Sequence, residues 1–130
     1  MTIYGLGSYY GSSGDVSEEF FENNVACVGW GYEDSPSLHE MMYNVKIGDI
    51  IYLKSHPANI GLIIKGVGIV TDNTLLDKES LGPVCVTVKW VWKGEEIIGR
   101  IADRYNVRLN TMYEEYNPTV LQTVIDYLTR

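Results

Sequence analysis

The chain has 130 residues, 45% hydrophobic and 21% charged, the size and composition of one globular domain around one core. Seventeen Asp and Glu against ten Lys and Arg leave a net charge of −7, a poor balance for gripping long polyanions, whose non-specific binding rests on neutralised phosphates. No apolar run approaches the roughly 18 residues of a membrane span, and Met1-Thr2-Ile3-Tyr4 has neither a basic nor a hydrophobic leader region, so a cytoplasmic protein without membrane contact is expected.

Thr2 to Gly7 is a short apolar segment broken by Gly5 and Gly7, a strand to which another backbone or a ligand comes close. It runs into a loop from Ser8 to Gly14. Asp15-Val16-Ser17-Glu18 has the spacing of a capping box, and Val16, Phe20 and Phe21 mark the buried stripe of a helix ending near Asn23-Asn24. Val25 to Gly29 is a continuous apolar strand that stops at Trp30-Gly31-Tyr32. Ser35-Pro36 predicts an N-cap with proline at the first helical position, and Leu38, Met41 and Met42 carry that helix on.

Ile47-Gly48-Asp49 opens a strand over Ile50 to Ser55, which His56-Pro57-Ala58-Asn59 breaks before a second run, Ile60 to Val70. These two are expected to pair antiparallel. Gly61, Gly66 and Gly68 in the second run predict bulges and strong coiling, as closure of a barrel requires. Asp72 to Gly82 reads as a polar loop. Val84 to Trp92 is the strongest strand signal, with alternation setting Val88, Trp90 and Trp92 on one face. Lys93-Gly94-Glu95-Glu96 then predicts a hairpin turn with Ile97 to Ile101 returning, and 102–116 has no readable period. Asn117-Pro118 caps a last helix on which Val120, Leu121, Val124, Ile125 and Leu128 share a face.

Cys27 and Cys85 both lie in apolar runs and are expected as two buried thiols rather than a disulfide. A buried thiol is also a poor nucleophile, since a thiolate needs an electropositive, open setting. His39 and His56 lack a Cys, His or carboxylate at ligand spacing, so neither metal nor cofactor is expected. Gly11-Ser12-Ser13-Gly14 lacks the lysine of a phosphate loop, and Gly5-Leu6-Gly7 does not extend to a dinucleotide fingerprint. The pairs Glu18-Glu19, Glu33-Asp34, Glu95-Glu96 and Glu114-Glu115 read as solvated surface, as do Lys89, Lys93, Arg100, Arg104 and Arg108.

Val45 to Ser55, with "Gly48-Asp49" followed by hydrophobic residues, and Ile63 to Val70, with Gly66 and Gly68, resemble the PUA-like superfamily, in particular its EVE, YTH-like and restriction-associated branches. Ala26-Cys27-Val28-Gly29-Trp30 is similar to the segment before the "GD" strand in the restriction-associated members. The resemblance spans roughly residues 2 to 92. It implies an α+β chain built on a small mixed β-barrel, with flanking short helices and a C-terminal helix, and an aromatic cage at one mouth that holds a base. Trp30 matches a position of that cage, and Ser55 a polar strand end.

Chemistry and placement add the rest. Tyr9, Tyr10 and Trp90 join Trp30 as stacking candidates, each stacked base contributing about 1–3 kcal/mol. Ser8, Ser55 and His56, with amides bared by Gly7 or Gly31, would read base edges, and Lys54 would meet a phosphate. For Trp90, as for Trp92, core packing is the competing role. The expected partner is a small nucleobase-containing molecule, bound without turnover, as in sequestration of a nucleotide signal in phage–bacterial conflict. A reader of a modified base in DNA or RNA is the alternative, and a small nucleotide hydrolase a second. A homo-oligomer whose second subunit completes the pocket is left open.

Overall fold

The computed structural model describes residues 1–102 and 107–130, so Arg104 lies outside the described residues. The strands are β1 (Ile3–Gly7), β2 (Tyr9–Tyr10), β3 (Gly14–Asp15), β4 (Val25–Val28), β5 (Ile50–Ser55), β6 (Leu62–Lys78), β7 (Gly82–Gly99) and β8 (Met112–Glu114). The helices are α1 (Ser17–Asn23), α2 (Pro36–Tyr43) and α3 (Pro118–Leu128). Six strands form one curled half-barrel sheet in the order β4-β7-β6-β5-β1-β8, and β2 and β3 form a separate small ribbon. The chain is therefore mixed α+β.

Both faces of the sheet are covered. Leu6, Ile51, Leu53, Val86 and Val88 pack on one side with Phe20 of α1 and Met42 of α2. Ile3, Ile50, Tyr52, Ile64 and Val67 pack on the other beneath Val120, Val124 and Tyr127 of α3. Along β5 period-two alternation feeds both cores, Ile50 and Tyr52 on one side and Ile51 and Leu53 on the other, which is why Ile50–Leu53 reads as an unbroken apolar run. Asn117 caps α3 by accepting from the Thr119 and Val120 amides. Pro36 opens α2, but the Ser35 side chain makes no capping bond. At α1 it is the Asp15 carboxylate that accepts from the Ser17 amide, with Val16 as the N-cap residue.

Three sequence expectations are corrected here. Asp72 to Gly82 is not a loop: β6 continues to Lys78 and the turn is confined to residues 79–81, the polar residues being the exposed outer arm of a long hairpin. Lys93 to Glu96 is not a turn either, because β7 runs through it to Gly99. Gly66 pairs with Lys93 and Ile64 with Glu96, so Gly94 and Glu95 of β7 face Lys65 of β6 and are absorbed as a bulge. A further bulge separates Trp90 from Trp92: they pair with the adjacent Gly68 and Val67, which leaves Val91 as the extra residue. One extra residue inverts every side chain beyond it. Trp90 packs with the α1 and α2 core, whereas Trp92 stacks on Tyr127 of α3 at 3.8 Å.

The two free thiols are corrected as well. Cys27 of β4 and Cys85 of β7 are direct partners in the ladder, their Cα atoms 4.1 Å apart, and they are joined as a disulfide. Such a narrow separation marks the non-hydrogen-bonded pairing site, where side chains stand closest. Both cysteines are fully buried.

Candidate functional site

β1 and β5 run parallel, and their ladder ends at Gly7 opposite Lys54. Parallel neighbours release the chain at the same end, and where the following segments diverge a crevice is left outside their carboxyl termini. Here it is a cavity of about 720 Å³. From β1 the chain enters the β2–β3 ribbon, which sets Tyr9 and Tyr10 on the wall. β5 supplies Lys54 and Ser55, followed by His56, and the residues after β4 bring Gly29 and Trp30.

The rings differ in exposure and in setting. Tyr9 and Trp30 are 73% and 52% exposed, two large aromatic surfaces presented at the mouth. Tyr10 is fixed: its hydroxyl donates to the Leu81 carbonyl at 2.6 Å and reaches the Cys27 carbonyl at 3.3 Å, and its ring lies against Gly29. Burial raises its pKa above the ordinary tyrosine value, so it remains a donor. Two adjacent tyrosines thus divide the roles of anchor and exposed ring. Trp30 is held through its backbone, since the buried His39 donates from Nε2 to the Trp30 carbonyl at 2.6 Å. His39, unassigned in the sequence, is a positioning residue for that loop.

Lys54 is 8% exposed, and burial pushes its pKa down to about 8. Its ammonium donates to the Arg108 carbonyl at 2.8 Å and stands 5.7 Å from the centre of the Tyr113 ring. His56 is half-buried, and its Nδ1 is shut from solvent with no hydrogen-bond partner.

Below this wall lies a buried polar network that sequence reasoning missed. Arg108 and Glu115 form an ion pair, which overturns the expectation that both are solvated surface. Glu115 accepts from Tyr52 at 2.6 Å, from Arg108 Nε at 3.1 Å, and from the Tyr116 and Asn117 amides. Because the Tyr52 proton goes to Glu115, Tyr113 is the donor in the 2.7 Å bond between the two hydroxyls. Gly5 makes room for that ring, as a Cβ there would lie 2.4 Å from it. The network clamps the segment that adds Leu109 and Thr111 to the wall. Its hydrophobic period is too short to have revealed it.

Two nominated residues are not on the wall. The buried Ser8 donates to Asp15 at 2.9 Å, and Asp15 also accepts from Ser17 and Lys65. Burial alone would raise the Asp15 carboxyl, but these bonds hold it below the usual carboxylate range and tie the base of the ribbon. Trp90 donates its indole N–H to the Phe20 and Val25 carbonyls at 3.1 and 3.3 Å and packs edge-on to Phe21. Gly7 does not bare its amide, which donates to the Thr111 carbonyl at 2.7 Å, and Gly31 lies off the wall. A Trp90→Phe variant is expected to lose about 1–2 kcal/mol in urea unfolding, from its shared indole bond, with cavity ligand affinity unchanged.

Among the described residues no group of His, Cys, Asp and Glu is placed to hold a metal, and no helix is long and apolar enough to cross a membrane. No protein-family model matches the chain, and comparison with curated proteins gives no match.

Proposed function

We propose that the chain is a PUA-like pocket protein that holds a small nucleobase-containing molecule, a free nucleotide or nucleotide signal, and returns it unaltered. The observation that carries this reading is the meeting of Tyr9, Tyr10 and Trp30 with Lys54, Ser55 and His56 around one cavity. Flat rings recognise any base by its π-face, and polar groups beside them discriminate among bases because an unpaired buried donor or acceptor is costly. The volume, about 720 Å³, lies in the usual range for small-molecule sites. The curled half-barrel sheet with helices on both faces is the coarse α+β architecture that this reading calls for. Sequestration of the ligand is the role this reading assigns.

The net charge of −7 favours a free ligand over a polymer. The alternative, a reader of a modified base in nucleic acid, needs a basic rim. Lys89, Lys93 and Arg100 are exposed, but Arg108 is buried against Glu115 and is lost to such a rim.

Thermal shift of the purified protein against a nucleotide panel and against plain and modified oligonucleotides, with recovery of the ligand after heating, tests the reading. A nucleotide that stabilises and returns intact supports it. Stabilisation by oligonucleotides alone, or a chemically changed ligand, overturns it. In the same assay Trp30→Ala is expected to weaken binding by about 5- to 150-fold, the equivalent of one lost stacking contact. Its unfolding midpoint should stay near wild type, because the ring is half exposed.

A further inference from the structure

The charge on the cavity wall runs against the charge of the chain. The sequence has 17 acidic residues and 10 basic ones, yet among the described residues the wall carries no Asp or Glu, and its charged side chain is Lys54. That lysine is buried, and among the described residues no carboxylate is paired with it; it faces the Arg108 carbonyl and the Tyr113 ring. The nearby Glu115 is committed to Arg108, Tyr52 and two amides. Burying an ammonium without a counter-charge is costly, and one carbonyl uses only one of its three donors. Two residues along, His56 lines the same wall, its Nδ1 shut from solvent.

We propose that the cavity takes an anionic nucleobase compound, with its phosphate on the Lys54 ammonium beside His56 and its base on the exposed Tyr9 and Trp30 rings. This rests on the nucleobase reading above and assigns which residues of the wall meet the phosphate and which the base. The phosphate supplies the counter-charge that Lys54 lacks, and charge-assisted bonds of this kind are the strong ones. A neutral nucleoside would meet the rings but leave the ammonium uncompensated.

The test is calorimetric titration of the wild-type protein with the four common ribonucleosides, their 5′-monophosphates and inorganic phosphate. At pH 7.5 at least one monophosphate is expected to bind ten or more times tighter than its own nucleoside. Raising the pH to 9.5 should shrink that ratio, because Lys54 deprotonates through about pH 8 while the phosphate monoester, with its second pKa near 6, keeps a constant charge. Tyr9, Tyr10 and His56 are the other ionisable groups on the wall. Taking the ratio to the nucleoside cancels any ionisation of the base itself. A Lys54→Met variant should bring the ratio close to one, and the wild-type pH series decides the matter should that variant not fold. Equal binding of nucleoside and monophosphate, or a ratio indifferent to pH, overturns the charge assignment and leaves the nucleobase reading standing. Tight binding of inorganic phosphate alone overturns the role of the rings, and no binding by any compound overturns both.

Discussion

Glu115→Ala is expected to cost about 3–5 kcal/mol of stability, read as a fall in the urea unfolding midpoint. The reason lies in what the carboxylate holds together. It receives the buried Arg108 and Tyr52 and the part-buried amides of Tyr116 and Asn117, and its removal strands the Arg108 charge in the interior. A buried charge whose partner is deleted loses its Coulomb energy and keeps its desolvation cost. The companion variant carries the argument: Arg108→Met combined with Glu115→Gln removes both charges and retains an acceptor for the two amides, with the glutamine NH2 turned to the Tyr52 hydroxyl, which can accept from it. It is expected to be clearly more stable than Glu115→Ala. If Glu115→Ala unfolds within 1 kcal/mol of wild type, an order-of-magnitude bound well below the usual cost of a broken buried pair, the network does not stabilise the fold. Because the Arg108 carbonyl anchors Lys54 and the following residues line the cavity, the single variant should also weaken ligand binding.

Reducing the Cys27–Cys85 bond has a comparable expected effect. The two residues are 58 apart in sequence, and closing a loop of that length removes chain entropy from the unfolded state corresponding to about 4 kcal/mol. Wild-type protein unfolded in urea with and without reductant should therefore show midpoints differing by that amount divided by the slope of the transition. Alkylation in denaturant without reductant should label neither cysteine. Labelling of both would show that the thiols are free. The bond also bears on the site, since the Cys27 carbonyl accepts from Tyr10, the fixed ring of the cavity wall.

How far the site was legible depends on the kind of signal each residue leaves. Trp30 stood out because glycines flank it, and Tyr9 and Tyr10 because adjacent residues in a glycine- and serine-rich loop cannot both enter a core. Lys54, Ser55 and His56 stood at the end of an evident strand, and the structure brings these six residues to one cavity. Ser8 and Trp90 carried equally good local signals but spend their polar atoms on Asp15 and on backbone carbonyls. Leu109 and Thr111 left no signal, because their segment owes its place to Arg108 and Glu115 rather than to any period of its own.

What the sequence determined by itself is therefore local: the strand and helix periods, the Asn117-Pro118 cap, and the glycines that bend β6. Each of these rests on backbone geometry within a few residues. What only the tertiary structure decided is pairing and parity. Whether Cys27 meets Cys85 depends on the register of β4 against β7, and whether Trp92 joins the face of Trp90 depends on a single extra residue, Val91, in the ladder. Whether Arg108 and Glu115 are surface charges or a buried pair depends on β5, whose Tyr52 donates to Glu115 and whose Lys54 donates to the Arg108 carbonyl. A one-residue change in register reverses which side chains are buried, and such registers are set by contacts between segments far apart in the chain, which no local pattern of residues records.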